Sequence, residues 1–456
     1  MERLARGGAL PPRGAVPVLV RRRVGGGARA RAPQPGRERR EGQPRGVQAL
    51  LRRPPPSLSG ALDRRWRELV AGEEGGGAPG RDAEATLPGG GSVRIATLSN
   101  AAVIHTRRWV EHFRARGHSV AVWSLERGPE GLEARALPRA SLPNFLRYPL
   151  AAGPLRRALA EFRPDLIDAH YVPNYGVIAS LSGFRPISVA AWGSDLLVAA
   201  RRDPLQRLRA RFVLRRADLV IADGGDLARA AVELGAPAER VHAIPWGVDL
   251  ARFARPEARE PELLLSTRMH EPVYDLPTLL AGVAPVLARR PGARLVVAGD
   301  GSRRASLERL AARLLPPGRF RFVGLLEPEA LAGWLARASI YLSASRSDST
   351  SLSLLEAMAS GAVPVVSDIE GNREWVSEGE GARLFGPGNA AGVTRAVESV
   401  LDDPAWAERA RAKNRRVIES RGDWSANMSR IESMFESLVR GHGPAGAPDP
   451  EPGATR

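Results

Sequence analysis

The stretch SRSDSTSLSLLEAMASGAVPVVSD, Ser345 to Asp368, holds the densest set of groups able to do chemistry. A polar loop rich in Ser and Thr leads into a segment that reads as a helix opening at Ser349 to Ser351 and closing at Gly361. Ser and Thr suit an N-cap. A helix opening presents free N–H groups and a partial positive charge, which is what a diphosphate requires. Ser349, Thr350, Ser351 and Leu352 are therefore candidate phosphate ligands. Asp348 lies in the loop and Glu356 one to two turns inside the helix, so two acceptors sit at different depths, suited to hydroxyls of a sugar and of a ribose. Taken singly, Asp348 reads as well as a helix cap and Glu356 as a surface acid.

A second set lies in STRMHEPVYDLPTLL, Ser266 to Leu280, where Arg268 ends a strand. A guanidinium fork can bond two phosphate oxygens, whereas a surface ion pair is the plain alternative. Arg346 and Arg303 are further cations placed to help. In AGDGSRRASL, Gly299 and Gly301 form a tight turn after a strand. In the first half, SNAAVIHTRRW sets Asn100, Ala101 and Ala102 in a strand-to-helix loop, with His105 and Arg107 candidates to face a cleft. PDLIDAHYVPNYG ends a strand at His170, and AWGSDLL sets Asp195 after another, as acceptor contact or helix cap.

Such side chains need rigid elements behind them. VRIATLS (Val93 to Ser99), a helical segment (Thr106 to Arg116) and SVAVWSL (Ser119 to Leu125) make a βαβ opening. Four further runs follow: LIDAHY, ISVAAWG, ADLVIADG and VHAIPWG. A polar, Pro-containing stretch, Arg252 to Pro261, interrupts the pattern. Then come ELLLSTR, RLVVAGDG, RFVGLL, SIYLSAS and VPVVSD. Short apolar runs bounded by turn residues argue for buried parallel strands. The chain thus reads as α/β, with two consecutive doubly wound, Rossmann-like domains at 92–255 and 256–422 facing across a cleft. Ligands in such sheets sit beyond the carboxyl ends of the strands. The residues after 422 read as a terminal amphipathic helix, 423–440, packing back on the N-terminal domain, and a loose tail, 441–456. Residues 1–91, rich in Arg, Gly and Pro, read as a disordered extension with one short helical stretch at Ser59 to Val70; a true start near Val93 is the alternative.

Composition narrows the classes. The 456 residues include no Cys, so disulfides, cysteine metal sites and thiol nucleophiles are excluded. The seven His are scattered, and no metal site is expected. The net charge of +17 would suit a polyanion, but about half of the excess lies in residues 1–91 and Lys413 is the only Lys, so nucleic acid is not the expected partner. No apolar run is long enough to span a bilayer, and no secretory signal is evident, so a cytoplasmic location is expected. PLQRLRARFVLRR, Pro204 to Arg216, mixes Leu and Phe with Arg; it reads as a solvated helix face or as a peripheral contact with anionic headgroups at the inner membrane.

EAMASGAVPVV, Glu356 to Val366, resembles the signature of family-4 retaining glycosyltransferases of the GT-B fold, in which two glutamates with seven residues between them precede AMA-x-G-x-PVV. The resemblance covers most of residues 93–440. It implies that Glu356 binds ribose hydroxyls and that Asp348, in place of the first Glu, touches the donor sugar. It implies that Arg268 neutralises the donor diphosphate. The Lys that usually follows is replaced by Val273 and Tyr274. Gly299 and Gly301 match a turn beside base and phosphate. His170 matches a His that bonds the donor sugar, and Asn100 and the two Ala occupy a Gly-Gly loop. IPWGVDLARF matches IPNGVD-x-x-x-F, with Trp246 for Asn. The implied activity is transfer of a sugar, with retention, from a UDP- or GDP-sugar to a glycan, lipid-linked or small-molecule hydroxyl. No cofactor or metal is implied beyond the nucleotide-sugar co-substrate. A sugar-nucleotide epimerase on the same fold and a non-catalytic nucleotide-sugar-binding protein are the alternatives; a phosphorylase would need a pyridoxal-phosphate lysine, for which Lys413 is poorly placed.

Overall fold

The computed structural model describes residues 91–128, 132–138, 143–253 and 259–442. Contacts divide the chain into Met1–Ala85 and Thr86–Arg456, and every described residue lies in the second unit. The expected disordered extension with its Ser59–Val70 helix, and the tail beyond His442, lie outside the described residues.

The first sheet has seven strands: β1 (Arg94–Leu98), β2 (Ser119–Ser124), β3 (Ala134–Ala136), β4 (Leu166–His170), β5 (Ile187–Ala191), β6 (Leu219–Ala222) and β7 (Val241–Ala243). Their order is β3-β2-β1-β4-β5-β6-β7, and the pairings are parallel. The second has six: β8 (Glu260–Ser266), β9 (Arg294–Ala298), β10 (Phe320–Gly324), β11 (Ala338–Ser343), β12 (Val363–Ser367) and β13 (Arg383–Phe385), ordered β10-β9-β8-β11-β12-β13 and again parallel. Each order reverses once, between β1 and β4 and between β8 and β11. At these switch points the following loops diverge to opposite faces and leave a crevice. The short edge strands β3 and β13 were not foreseen, because three residues carry too little pattern to read.

The continuous apolar runs are explained by cover on both faces. In β8, Leu264 enters one core with Leu280, Val283 and Val397, while Leu263 and Leu265 enter another with Tyr341, Leu355 and Met358. Successive strand residues point to opposite faces, so a strand covered on both is apolar throughout.

The helices that matter below are α1 (Ile104–Ala115), α2 (Asn144–Leu150), α3 (Pro204–Arg216), α4 (Gly225–Glu233), α5 (Leu276–Arg289), α6 (Leu352–Ser360), α7 (Pro404–Arg421) and α8 (Trp424–His442). Helix α6 opens at Ser351 and closes on Gly361 in the left-handed conformation. Helix α8 returns from the second sheet to the first: Met428, Ile431 and Phe435 complete the core that holds Trp109 and Phe113 of α1. Phe435 stacks on Phe113 at 5.3 Å. Glu432 accepts from Arg116 and lies 2.9 Å from His118 Nε2, fixing the helix where apolar contact alone would let it slide.

Candidate active site

The candidate residues gather at both switch points. In the second sheet, Arg268 follows β8 and the Ser345–Ser351 loop follows the neighbouring β11. Arg268 is 6% exposed. Its Nη1 donates to Ser351 Oγ at 2.6 Å, and its Nη2 pairs with Asp348 Oδ2 at 2.5 Å. The guanidinium stacks 4.2 Å over the Tyr274 ring, and its Nε has no partner among the described residues. Burial alone would lower its pKa, but Asp348, Tyr341 and Tyr274 hold it above its ordinary value. A permanent cation thus sits at the N-cap of α6, where the free amides of that helix converge.

The Gly299–Gly301 turn stands behind this arginine. A Cβ on Gly299 would lie 2.5 Å from the Arg268 carbonyl oxygen and one on Gly301 2.8 Å from that of His270, and both backbones have positive φ. The pair of glycines lets the two loops touch and holds the Arg268 loop forward. Its action is on the arginine's position.

The remaining loop residues have separate partners. Ser349 Oγ donates to Asp226 Oδ1 at 3.0 Å, across the crevice in α4. Thr350 Oγ1 accepts from Trp375 Nε1 at 3.3 Å. Leu352 is the first residue of α6. Arg346 is exposed and pairs with Asp275 at 2.7 Å. With Arg303 and Arg313 it rims a pocket of about 340 Å³ floored by Pro272, Leu307 and Leu310. Glu356 points inward, 8% exposed, and burial pushes its carboxyl up to about 7 against the pull of Arg108, Arg268 and Arg252.

In the first sheet, His170 ends β4 and is buried. Its Nε2 lies 2.9 Å from Asp168 Oδ2, which also accepts from Trp109 Nε1 at 2.9 Å. A carboxylate there fixes the proton on Nε2 and leaves Nδ1 as an acceptor in the neutral ring. That Nδ1 has no partner among the described residues. Around it, His105, Trp192 and Trp246 pack edge to face at 5.1 to 6.1 Å. Each also has a buried nitrogen without a partner: His105 Nδ1, Trp192 Nε1 and Trp246 Nε1. Buried polar atoms are almost always bonded, so four such nitrogens in one cluster mark a place that receives polar groups. His105 is held neutral, lowered to about 4 by burial, Arg108 and His170.

Asn100 and Asp195 serve the loops. Asn100 Oδ1 accepts from Ala102 N at 2.9 Å and so shapes the β1–α1 turn. Asp195 is fully buried; its carboxylate accepts from the backbone N–H of Val172, Trp192 and Leu196, and burial raises it to about 6. It ties the end of β4 to the end of β5 and sets Trp192.

Arg107 does not face the crevice: it pairs with Glu111 one turn on, in an exposed i,i+4 bridge. Its neighbour Arg108 is the inward residue, stacked 4.1 Å over Trp424 of α8 and felt by Glu356. One helical step rotates a side chain by about 100°, and α8 is what selects between the two. Other groups missed from sequence lie across the crevice. Glu374 accepts from Gly225 N at 2.9 Å and Asp226 N at 2.7 Å, so an acid from one lobe caps α4 of the other. Asp223 accepts from Trp246 N at 2.9 Å, and burial raises it well above the usual carboxylate range, with Asp348 adding to the effect. Gly224 admits the approach of Ser349 and Glu374, since a Cβ there would lie 2.7 Å from Ser349 Oγ and 3.2 Å from Glu374 Oε2. Only Asp168 had a readable signal: two residues before His170 on one strand, it shares the face of that ring.

Among the described residues one His/Glu group has metal-ligand spacing, His118, Glu432 and Glu436. It lies under α8, away from both switch points, and its first two members already bond each other.

Residues 260–403 match the family model described as glycosyl transferases group 1, and residues 102–252 match that of glycosyltransferase family 4. The chain is 30% identical over 237 residues to the glycogen synthase of Mycobacterium tuberculosis, covering 50% of this chain and 56% of that protein, so the match spans about half of that relative. It is 26% identical over 374 residues to the phosphatidyl-myo-inositol mannosyltransferase of M. tuberculosis, covering 74% of this chain and 92% of that one. In fold it is similar to sucrose-phosphate synthase from Thermosynechococcus elongatus, with TM-score 0.68 at 21% identity over 76% of this chain and all of the other. It is also similar to Anabaena HepE in complex with UDP-glucose, with TM-score 0.65 at 17% identity and the same coverage. Two parallel sheets, site residues at both switch points and these matches along both halves lead to one conclusion: the chain has the GT-B fold and belongs to the group 1, or family 4, glycosyltransferases.

Proposed function

We propose that the protein transfers a sugar, with retention, from a nucleoside diphosphate sugar, UDP- or GDP-linked, to a hydroxyl of a glycan, lipid-linked or small-molecule acceptor. The observation that carries this reading is the buried Arg268 guanidinium 2.6 Å from the Ser351 hydroxyl at the N-cap of α6. A cation and a helix opening at one switch point suit a diphosphate leaving group.

When the bond between the sugar's anomeric carbon and the phosphate oxygen breaks, the electron pair stays with the diphosphate. Arg268 and the first amides of α6 stabilise that charge, and the acceptor hydroxyl oxygen forms the new bond while its proton passes to the departing phosphate oxygen. Asp348 holds Arg268 in place and lies beside the sugar; Glu356 takes ribose hydroxyls. His170 Nδ1 and the indole N–H groups of Trp192 and Trp246 bond sugar hydroxyls from the opposite lobe. The Arg303–Arg346 pocket takes the base end. The charge is met by side chains and amides, and no metal or cofactor is invoked. The solved complex of HepE with UDP-glucose supports a donor of this class on this fold.

The test is turnover of UDP- and GDP-sugars with a panel of acceptors. Release of the nucleoside diphosphate coupled to a glycosylated product is the expected outcome. Epimerised donor without any acceptor would contradict the proposal, as would tight nucleotide-sugar binding with no turnover on any acceptor.

A further inference from the structure

Six of the eleven exposed large apolar side chains of the described residues lie on α2 and α3. On α3 they are Leu205, Leu208 (65% exposed) and Phe212, spaced so that they share one face. On α2 they are Phe145 (50% exposed), Leu146 and Leu150 (55% exposed). The two helices are joined, because buried Arg209 of α3 donates to the carbonyl oxygens of Asn144 and Phe145. The six side chains therefore belong to one patch. Elsewhere exposed apolar residues occur singly, which is normal for a soluble surface, whereas a cluster is not.

The charges around the patch are basic. Elsewhere many arginines are held by acids, as in Arg289–Glu398, Arg290–Asp402 and Arg415–Glu419. Along α3 and the turn before it, Arg201, Arg202, Arg207, Arg211, Arg215 and Arg216 are all exposed, and none forms an ion pair with a described residue. The one acid there, Asp203, is committed to capping α3 through Leu205 N and Gln206 N. Unmatched guanidinium groups interleaved with Leu and Phe suit a surface that is anionic outside and apolar beneath. A nucleic acid would meet the charges but gives no place to Leu208 or Phe212.

We infer that α2 and α3 form a docking surface for an anionic phospholipid bilayer, with the apolar six entering the headgroup–acyl boundary and the arginines on the phosphates. The inference is independent of the sugar-transfer reading, since the patch contains none of the residues assigned to that site.

Co-sedimentation of the full chain with vesicles tests it. Phosphatidylglycerol-containing vesicles should bind the protein, pure phosphatidylcholine vesicles far less, and binding should weaken with salt. Leu208→Glu should weaken binding about ten-fold or more, from lost burial plus repulsion. Arg207→Gln should cost about five-fold, the share of one cation near an anionic surface. Leu325→Glu, at an equally exposed leucine of the other lobe, should change nothing. All three positions are exposed, so melting curves should coincide with wild type. Vesicle binding that is the same in Leu208→Glu as in wild type would overturn the inference. So would a concentration-dependent dimer that Leu208→Glu abolishes without any vesicle binding, which would assign the patch to a second copy.

Discussion

The two switch points solve different problems. In the second lobe the groups are charged and already paired: Arg268 holds Asp348 and Ser351, Ser349 holds Asp226, and Glu374 caps α4. In the first lobe they are aromatic or neutral, and their nitrogens at His105, His170, Trp192 and Trp246 lack partners among the described residues. A charged leaving group calls for fixed charges that hold each other in place before it arrives. A neutral, hydroxyl-rich ring calls for apolar walls and polar atoms left free to receive it. Under the proposed function, binding of the diphosphate and recognition of the sugar therefore fall to different lobes.

The largest expected effect comes from the charged side. Arg268→Ala should lower transfer by a factor of about 100 to 1000, the range for loss of a single group that stabilises leaving charge. Steady-state kinetics should show the loss in kcat as well as KM. Arg268→Lys should recover only part of it, because a point charge cannot span Ser351 and Asp348 together.

On the neutral side, Asp168→Asn removes the carboxylate shared by His170 and Trp109. We expect about a ten-fold loss in kcat from a free His170 ring, and about 1–3 kcal/mol of stability from the buried bonds, read by denaturant melts. Nucleoside diphosphate affinity should stay unchanged. A parallel loss of that affinity would break the separation of the two regions.

Glu356 gives a prediction in pH. Burial moves its carboxyl from 4.5 to about 7, so the folded state holds an extra proton between those values. That contribution is complete below 4.5 and is lost as pH rises through about 7. The shift corresponds to a slope worth up to about 3 kcal/mol. Glu356→Gln should flatten it, so wild type loses more stability than the variant between pH 5 and pH 8. Parallel stability curves would remove the buried, proton-holding role given to Glu356. The smallest effect should be that of Glu374→Gln, which weakens the charged cap on α4 by about 1 kcal/mol without changing chemistry at saturating substrate.

The second-lobe site was legible because its chemistry is local. Asp348, the Ser349–Leu352 opening and Glu356 lie within nine residues, and one helix positions them. The apolar runs likewise read as strands because burial on both faces leaves no other composition for them. The first-lobe cluster was not legible as a set. His105 and Trp109 on α1, His170, Trp192 and Trp246 are spread over four segments of chain, and only the β1-β4-β5-β6-β7 order brings them together. Arg108 was missed for a related reason: its choice over Arg107 depends on Trp424, more than 300 residues away. The pairing of Asp348 with Arg268 needed both loops at once, and so did the close approach of the Gly299–Gly301 turn to the Arg268 loop.

The most direct test of the central claim is calorimetric titration of UDP and of GDP into wild type, Arg268→Ala and Asp168→Asn. One of the two nucleotides should bind wild type and Asp168→Asn alike, and Arg268→Ala at least about 100-fold more weakly at a temperature where circular dichroism shows that variant folded. Equal affinity in wild type and Arg268→Ala, or no binding of either nucleotide to wild type, would contradict a diphosphate seated between Arg268 and the opening of α6.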